Sequence, residues 1–184
     1  MKRSFHYLLT FFVCLLLFGC GQALNEDEEW EAEFKEEKLF DFKFLNSAPE
    51  TTGDNPIDDV IKIYFHETSN DEPYEAVAID IENREVYAKP SLSIRGVTGD
   101  FIVHSEHADE VYDILEKYKV SKWDTEYTVG DPDAYEDGYS WKLMMQFKDG
   151  TVKIYKGNDE VTKPDKFDEF SRKLHEFAKS ELDS

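Results

Sequence analysis

Alternating apolar and polar side chains are clearest in residues 139–147. The apolar positions of this stretch recur at every second residue: Tyr139, Trp141, Leu143, Met145 and Phe147. An Asp149-Gly150 pair follows, and a second alternating stretch begins at Val152. Alternation with a period of two is typical of a strand with one buried face, and Asp-Gly favours the tight turn of a hairpin. The pattern therefore predicts a β-hairpin in this part of the chain.

The same period of two predicts further strands upstream. They are residues 39–44, 60–66, 74–81, 86–88, 92–97 and 100–104. In the first of these stretches, Phe40, Phe42 and Phe44 would place three rings on one face of a strand. Residues 82–84 have the composition of a turn, because Asn83 tolerates turn backbone angles. The succession predicts a meander of antiparallel strands.

Two stretches have apolar side chains at helical spacing. Residues 106–119 carry the stripe Val111, Ile114, Leu115 and Tyr118, and Ser105 is placed to cap the N-terminus of that helix. A second helix is predicted from about Asp165, with the stripe Phe167, Phe170, Leu174, Phe177 and Ala178. We therefore predict an α+β domain, with a mainly antiparallel sheet of about five to seven strands and both helices packed on one face.

The N-terminal residues have a different pattern. Lys2 and Arg3 precede an apolar run over residues 8–18, and the run ends in Leu17-Phe18-Gly19-Cys20. The run is short for a membrane-spanning helix and suits a signal peptide. It resembles the signal of bacterial lipoproteins, in which a Leu stands three residues before the cleavage point and a Cys directly after it. The resemblance implies cleavage before Cys20, lipid attachment to its thiol, and a location on the extracytoplasmic side of the cell membrane.

This resemblance divides the chain into three parts. Residues 1–19 are the expected signal peptide, residues 20–38 an acidic tether or short helix, and residues 39–184 a single α+β domain. An uncleaved N-terminal anchor is the alternative, and it also leaves the rest of the chain outside the cytoplasm. The layout of the last part is similar to that of small lipoproteins of single-membrane bacteria.

Charge and cysteine content narrow the choice of partners. The chain has 41 acidic and 21 basic residues, for a formal charge of −20. It has no basic stripe to neutralise phosphates, so we expect no nucleic-acid partner. The acidity attracts cations and basic partners, or it simply keeps an exported domain soluble. Because the two cysteines are Cys14 and Cys20, the domain has no disulfide and depends on its core.

Three residues near position 105 have the chemistry of metal ligands. His104 and His107 can place two imidazoles near one ion, and Asp109 could add an oxygen. They span a predicted junction of strand and helix, so ordinary cap and surface residues are the alternative. Ser105 beside these histidines lacks the glycines of a nucleophile elbow, which argues against nucleophilic catalysis.

Residues 130–138 form a loop rich in acidic side chains. Asp131, Asp133 and Asp137 could hold calcium, although Lys142 stands where the EF-hand spacing requires Glu. Aromatic residues are dense around this loop, and Trp123, Tyr135 and Tyr139 are candidates for a recognition face that stacks on sugar or peptide. A solvated turn and ordinary core residues are the respective alternatives.

These observations favour a non-enzymatic lipoprotein that binds a protein, a peptide or an envelope component. Its lipid would supply the contact with the membrane, and no cofactor is expected. One alternative is an inhibitor or immunity-type protein with an acidic face, which would bind a basic partner by electrostatic complementarity. The other is a cation-dependent envelope hydrolase that uses His104, His107 and Asp109.

Overall fold

The structure is a computed structural model that describes residues 39–69, 76–93, 96–128, 139–158 and 162–184. The predicted signal peptide with Cys20, the acidic tether, and the loop with Asp131, Asp133, Tyr135 and Asp137 lie outside these residues. No helix in the described part of the chain combines the length and the apolar character needed to cross a membrane.

The described residues form nine strands. In chain order they are β1 (Val60–Thr68), β2 (Val77–Asp80), β3 (Glu85–Ala88), β4 (Ser91–Ser93), β5 (Gly96–Thr98), β6 (Phe101–His104), β7 (Glu126–Tyr127), β8 (Ser140–Phe147) and β9 (Val152–Gly157). Seven of them make one sheet in the order β6-β3-β2-β1-β8-β9-β7, and β4 and β5 make a separate hairpin. All neighbours in the large sheet are antiparallel except β7 and β9.

Two α-helices cover one face of the large sheet. They are α1 (Glu110–Lys117) and α2 (Phe167–Leu182). Their apolar stripes pack with the inward residues of the central strands into one core, whose members include Phe65, Trp141, Leu143, Phe147, Val111, Leu115, Phe167, Phe170 and Leu174. The predicted α+β class, with a mainly antiparallel sheet and two helices, is confirmed. The hairpin predicted around Asp149-Gly150 is the pair β8 and β9.

A short 3₁₀-helix (Phe42–Ser47) and the β4–β5 hairpin cover the opposite face. Phe42, Leu45 and Val97 pack there against Tyr64 and Met144. The two covering pieces also touch each other at Gly96, whose φ is +95°. A Cβ at Gly96 would lie 1.1 Å from the carbonyl oxygen of Lys43, so only glycine permits this contact. The central strands β1 and β8 are consequently buried on both faces.

The strand predicted for residues 39–44 is wrong. The Asp41 carboxylate accepts a hydrogen bond of 2.9 Å from the N–H of Lys43 and caps the 3₁₀-helix that begins at Phe42. Helical spacing turns Phe42 and Leu45 inward and leaves Phe40 36% exposed. Alternating rings alone did not distinguish a strand from a short helix with one buried turn.

The first α-helix begins at Glu110 and not at residue 106 as predicted. Ser105 does not cap α1 directly. Its hydroxyl accepts a hydrogen bond of 3.2 Å from the N–H of His107 and so closes a turn. Residues 106–109 use this turn to carry the chain from the edge of the sheet to the helical layer. Val111 and Leu115 of the predicted apolar stripe are the buried residues of this helix.

A charged pair lies between the central strands on the face covered by the 3₁₀-helix. Lys62 of β1 stands opposite Asp80 of β2, and its ammonium nitrogen is 3.2 Å from an Asp80 oxygen. Both side chains are almost fully buried. Asp80 also accepts hydrogen bonds of 3.0 and 2.9 Å from the backbone and side-chain N–H groups of Asn83, which hold its carboxylate in place. The contact with Lys62 is an ion pair and not a well-aligned hydrogen bond.

We expect Lys62→Met to lower the free energy of unfolding by about 3–5 kcal/mol, because it leaves the Asp80 carboxylate buried without its counter-ion. The free energy of unfolding should fall less in the double variant Lys62→Met/Asp80→Asn than in the single variant, because the double variant has no unpaired buried charge. Chemical denaturation followed by circular dichroism measures both. Lys89→Met is the matched control, because Lys89 is 73% exposed in its pair with Asp100. Equal losses from Lys62→Met and Lys89→Met would contradict the structural role of the pair.

Candidate functional site

The strand β6 forms one edge of the large sheet. It pairs with β3 on one side, and no described residue pairs with it on the other. The N–H of Ser105 donates a hydrogen bond of 2.8 Å to the carbonyl of Arg84. This bond fixes which alternate residues of β6 are hydrogen-bonded to β3. Antiparallel pairing then points the N–H and C=O groups of Ile102 and His104 away from β3. Among the described residues, these outward donors and acceptors of the β6 backbone have no strand partner.

Two consecutive apolar side chains project from this edge. Phe101 is 57% exposed and Ile102 is 50% exposed, the largest values among the large apolar side chains of the described residues. Ile102 lies opposite Tyr87 and therefore on the face that carries the 3₁₀-helix. Phe101 lies opposite Ala88 and shares the helical face with Val86. A strand added to β6 could therefore bury the ring of Phe101 on one face of the sheet and the side chain of Ile102 on the other.

The connection from β3 to β6 explains why it adds no strand to the outer edge of β6. It runs through the β4–β5 hairpin, which folds over the sheet and packs Leu92 and Val97 against the second core. The opposite edge of the sheet is different, because β7 has only two residues and pairs in parallel with β9. The four-residue strand β6 is exposed and apolar at its edge, and an exposed edge strand is a site where another chain can pair. The exposed edge of β6 is thus the best candidate for a binding surface.

Exposed charges flank β6 at both ends. At one end, Glu106 lies 3.1 Å from Arg84 and 3.1 Å from the His104 imidazole. At the other end, the carboxylate of Asp100 lies 4.0 Å from the ammonium of Lys89. Such solvated pairs contribute little to stability, but they can set the orientation of a charged partner.

The proposed metal ligands do not come together. His104 contacts Glu106, whereas His107 contacts Glu110 at 3.2 Å, and both rings are largely exposed. Asp109 stands at the N-terminal boundary of α1. Among the described residues, no group of three or more His, Cys, Asp or Glu side chains is arranged to hold an ion. This separation gives no support to the hydrolase alternative.

Two of the proposed recognition aromatics are core residues, so that prediction is wrong for them. Trp123 is packed among Trp141, Tyr155 and Phe170, and its indole N–H donates a hydrogen bond of 3.1 Å to the Tyr118 carbonyl. Tyr139 is 4% exposed, and its hydroxyl donates a hydrogen bond of 2.6 Å to Glu67. Rings that fill the space between the sheet and α2 cannot stack on a ligand from solvent. Tyr135 lies outside the described residues.

Sequence analysis missed a buried carboxylate at the interface of β1 and α2. Glu67 accepts hydrogen bonds from the hydroxyls of Tyr139 and Ser171. The sequence contained an indication of this cluster. Glu67 has the same alternate spacing along β1 as the core residues Ile63 and Phe65, and Ser171 falls within the apolar stripe of α2. A polar residue in a core-facing phase indicates a buried hydrogen-bonded group.

This cluster does not have the geometry of a nucleophile and a base. The ring nitrogen Nδ1 of His175 lies 2.8 Å from the backbone carbonyl of Ser171 and must donate a proton to it. It therefore cannot accept the proton of the Ser171 hydroxyl, which already bonds to Glu67. The arrangement fastens α2 to β1 and to the start of β8, which is a structural role.

Comparisons with protein-family models, with curated proteins and with solved structures find no match to this chain.

We expect Phe101→Thr and Ile102→Thr to change the free energy of unfolding by no more than about 0.5 kcal/mol, because exposed side chains contribute little to stability and Thr retains strand propensity. Val86→Ala is the control on the neighbouring strand, where the side chain is fully buried. It should cost about 2 kcal/mol. Denaturation midpoints measure all three. A loss from Phe101→Thr or Ile102→Thr as large as that from Val86→Ala would show that these side chains serve the fold and not a partner.

Proposed function

We propose that this protein is a lipid-anchored, extracytoplasmic binding protein of non-enzymatic type. The observation that carries the binding function is the free edge of β6, where outward backbone groups lie beside the exposed side chains of Phe101 and Ile102. The support for the location is Leu17-Phe18-Gly19-Cys20 at the end of an apolar run. Together they describe a domain held at a membrane by Cys20 that binds a partner through its sheet.

The partner that fits this edge is an extended segment of another protein. A segment that pairs with Ile102 and His104 adds an eighth strand to the sheet through main-chain hydrogen bonds, and pockets for alternate side chains give selectivity. Pairing would bury apolar surface of Phe101 and Ile102 that is now exposed to water, which favours association. The formal charge of −20 favours a segment flanked by Lys or Arg. The same charge opposes the pairing of two copies of this chain.

The location is tested by the intact mass and the membrane fractionation of the native protein beside Cys20→Ala. We expect a diacylglyceryl mass gain and membrane retention in the native protein, and the loss of both in the variant, because the thiol is the point of lipid attachment. Cys14→Ala is the matched control, since it removes the chain's other thiol from within the apolar run. An unmodified, full-length native product would rule out the lipid anchor.

The binding surface is tested by a photo-crosslinking aromatic residue in place of Phe101. We expect a single heterologous adduct from this position in intact cells. The yield should be much smaller when the same residue replaces Phe40, which is exposed and lies beside Gly150 at the turn between β8 and β9. His104→Pro should abolish the adduct because it removes an outward N–H, whereas His104→Ala should retain it. Crosslink yield and adduct mass are the measurements.

Three results would count against this binding mode. They are equal yields from positions 101 and 40, an adduct composed of two copies of this chain, and an adduct that persists in His104→Pro.

A further inference from the structure

A row of basic side chains crosses three central strands on the face that carries the 3₁₀-helix. His66 of β1 stands opposite Lys142 of β8, and Lys142 stands opposite Lys156 of β9. All three line a surface cavity of about 350 Å³, together with Ser140, Asn158 and Thr128. The cavity lies on β1, β8 and β9, whereas the edge strand β6 is separated from β1 by β3 and β2. It is thus a second location, independent of the proposed partner site.

Within the described residues, the positive charges of this row are only partly balanced by carboxylates. Like charges that stand directly opposite each other on neighbouring strands are destabilising. Lys156 is partly compensated, because its ammonium lies 3.7 Å from a Glu126 oxygen. Lys142 has no ion pair with any described residue. This ammonium lies in a concave surface without a counter-ion among the described residues, so an anion from solution can pair with it there.

The imidazole of His66 adds a third group whose charge depends on its surroundings. Its Nδ1 atom is buried and makes no hydrogen bond within the described structure, and its ring lies 5.5 Å from the ring of Tyr64. Burial lowers the pKa of His66 below its ordinary value of 6.5, and the positive charge of Lys142 lowers it further. The imidazole is therefore neutral at pH 7 in the unliganded protein.

We propose that this cavity binds a phosphate group through Lys142, Lys156 and His66. A carboxylate is the poorer match, because the planar fork of Arg recognises carboxylates in two-point geometry and no Arg lines the cavity. The two ammonium groups are compact point charges that donate in several directions, which suits a tetrahedral anion. The phosphate can be free or part of a lipid headgroup, and both share this chemistry.

Phosphate binding has a defined effect on the charge of His66. Among the described residues, the charged or titratable groups near the imidazole are Lys142 from β8, Lys156 from β9 with its partner Glu126 from β7, and Tyr64 on the same strand. A bound anion favours the protonated imidazole and raises its pKa. By linkage, the affinity for a given ionic form of phosphate increases as the pH falls through the pKa of His66 in the complex.

The test is a titration of the full-length chain in a neutral detergent with potassium phosphate, compared with potassium chloride at equal ionic strength. Imidazole resonances of His66 report binding by nuclear magnetic resonance. We expect saturable shifts with phosphate, none with chloride, and a higher pKa of His66 in the complex. Lys142→Gln should weaken phosphate binding about tenfold, the expected effect of losing one charge-assisted hydrogen bond. Lys142→Arg should retain most of it.

Controls separate this site from general electrostatics and from misfolding. Lys89→Gln removes one exposed positive charge elsewhere and should leave phosphate binding unchanged. Lys142→Gln should unfold at the same or a higher temperature than the native chain, because it relieves the repulsion from Lys156. No response of His66 to phosphate, or equal weakening by Lys89→Gln and Lys142→Gln, would overturn the proposal.

Two further arms identify the source of the phosphate. Glycerol phosphate and vesicles of phosphatidylglycerol are compared with inorganic phosphate, with phosphatidylcholine vesicles as the reference. Shifts of His66 with inorganic phosphate and glycerol phosphate but not with vesicles assign the site to a soluble phosphate. Shifts with phosphatidylglycerol vesicles that are absent in Lys142→Gln assign it to a lipid headgroup.

Discussion

The buried ion pair between Lys62 and Asp80 is the constraint on which the rest of the fold depends. An ammonium and a carboxylate are costly to remove from water, and the pair is stable only where neighbouring groups hold its geometry. Asn83 fixes the Asp80 carboxylate, and Gln146 lies opposite Lys62 on the other neighbouring strand. The Gln146 amide in turn donates to the Leu39 carbonyl at 2.7 Å. The centre of the sheet must therefore be covered on both faces, by the helices on one side and by the 3₁₀-helix with its hairpin on the other.

This closed centre explains where the protein can meet other molecules. Its buried carboxylate Glu67 is engaged by the hydroxyls of Tyr139 and Ser171 and is therefore not a free base. Surfaces remain available at the periphery of the sheet, where covering elements do not reach. The edge of β6 presents backbone groups and apolar side chains, and the cavity at Lys142 presents charge. The first suits a partner chain and the second a small anion, because the two surfaces differ in the interaction that they offer.

The two proposed sites would allow a strongly acidic protein to bind selectively. A formal charge of −20 repels anions at long range and attracts basic segments without regard to their sequence. Short-range contacts must therefore outweigh the repulsion of an anion, or select one basic segment among many. At the proposed β6 site, side-chain contacts with Phe101 and Ile102 would supply that selection, and at the proposed phosphate site the ammonium of Lys142 would attract an anion at short range. Neither effect is visible in the net charge alone.

Local patterns in the sequence determined most of the secondary structure and the fold class. The hairpin around Gly150, the stripe of α2 and the strands β1 to β3 follow from alternation, turn composition and helical spacing, which are properties of neighbouring residues. Residues 42–47 departed from prediction because a cap at Asp41 and the need to cover the sheet outweighed the alternation of rings. Only the tertiary structure decided that Trp123 is core, that Lys62 is buried and that β6 is an edge. Burial and strand order depend on residues that are distant along the chain, so local periodicity does not predict them.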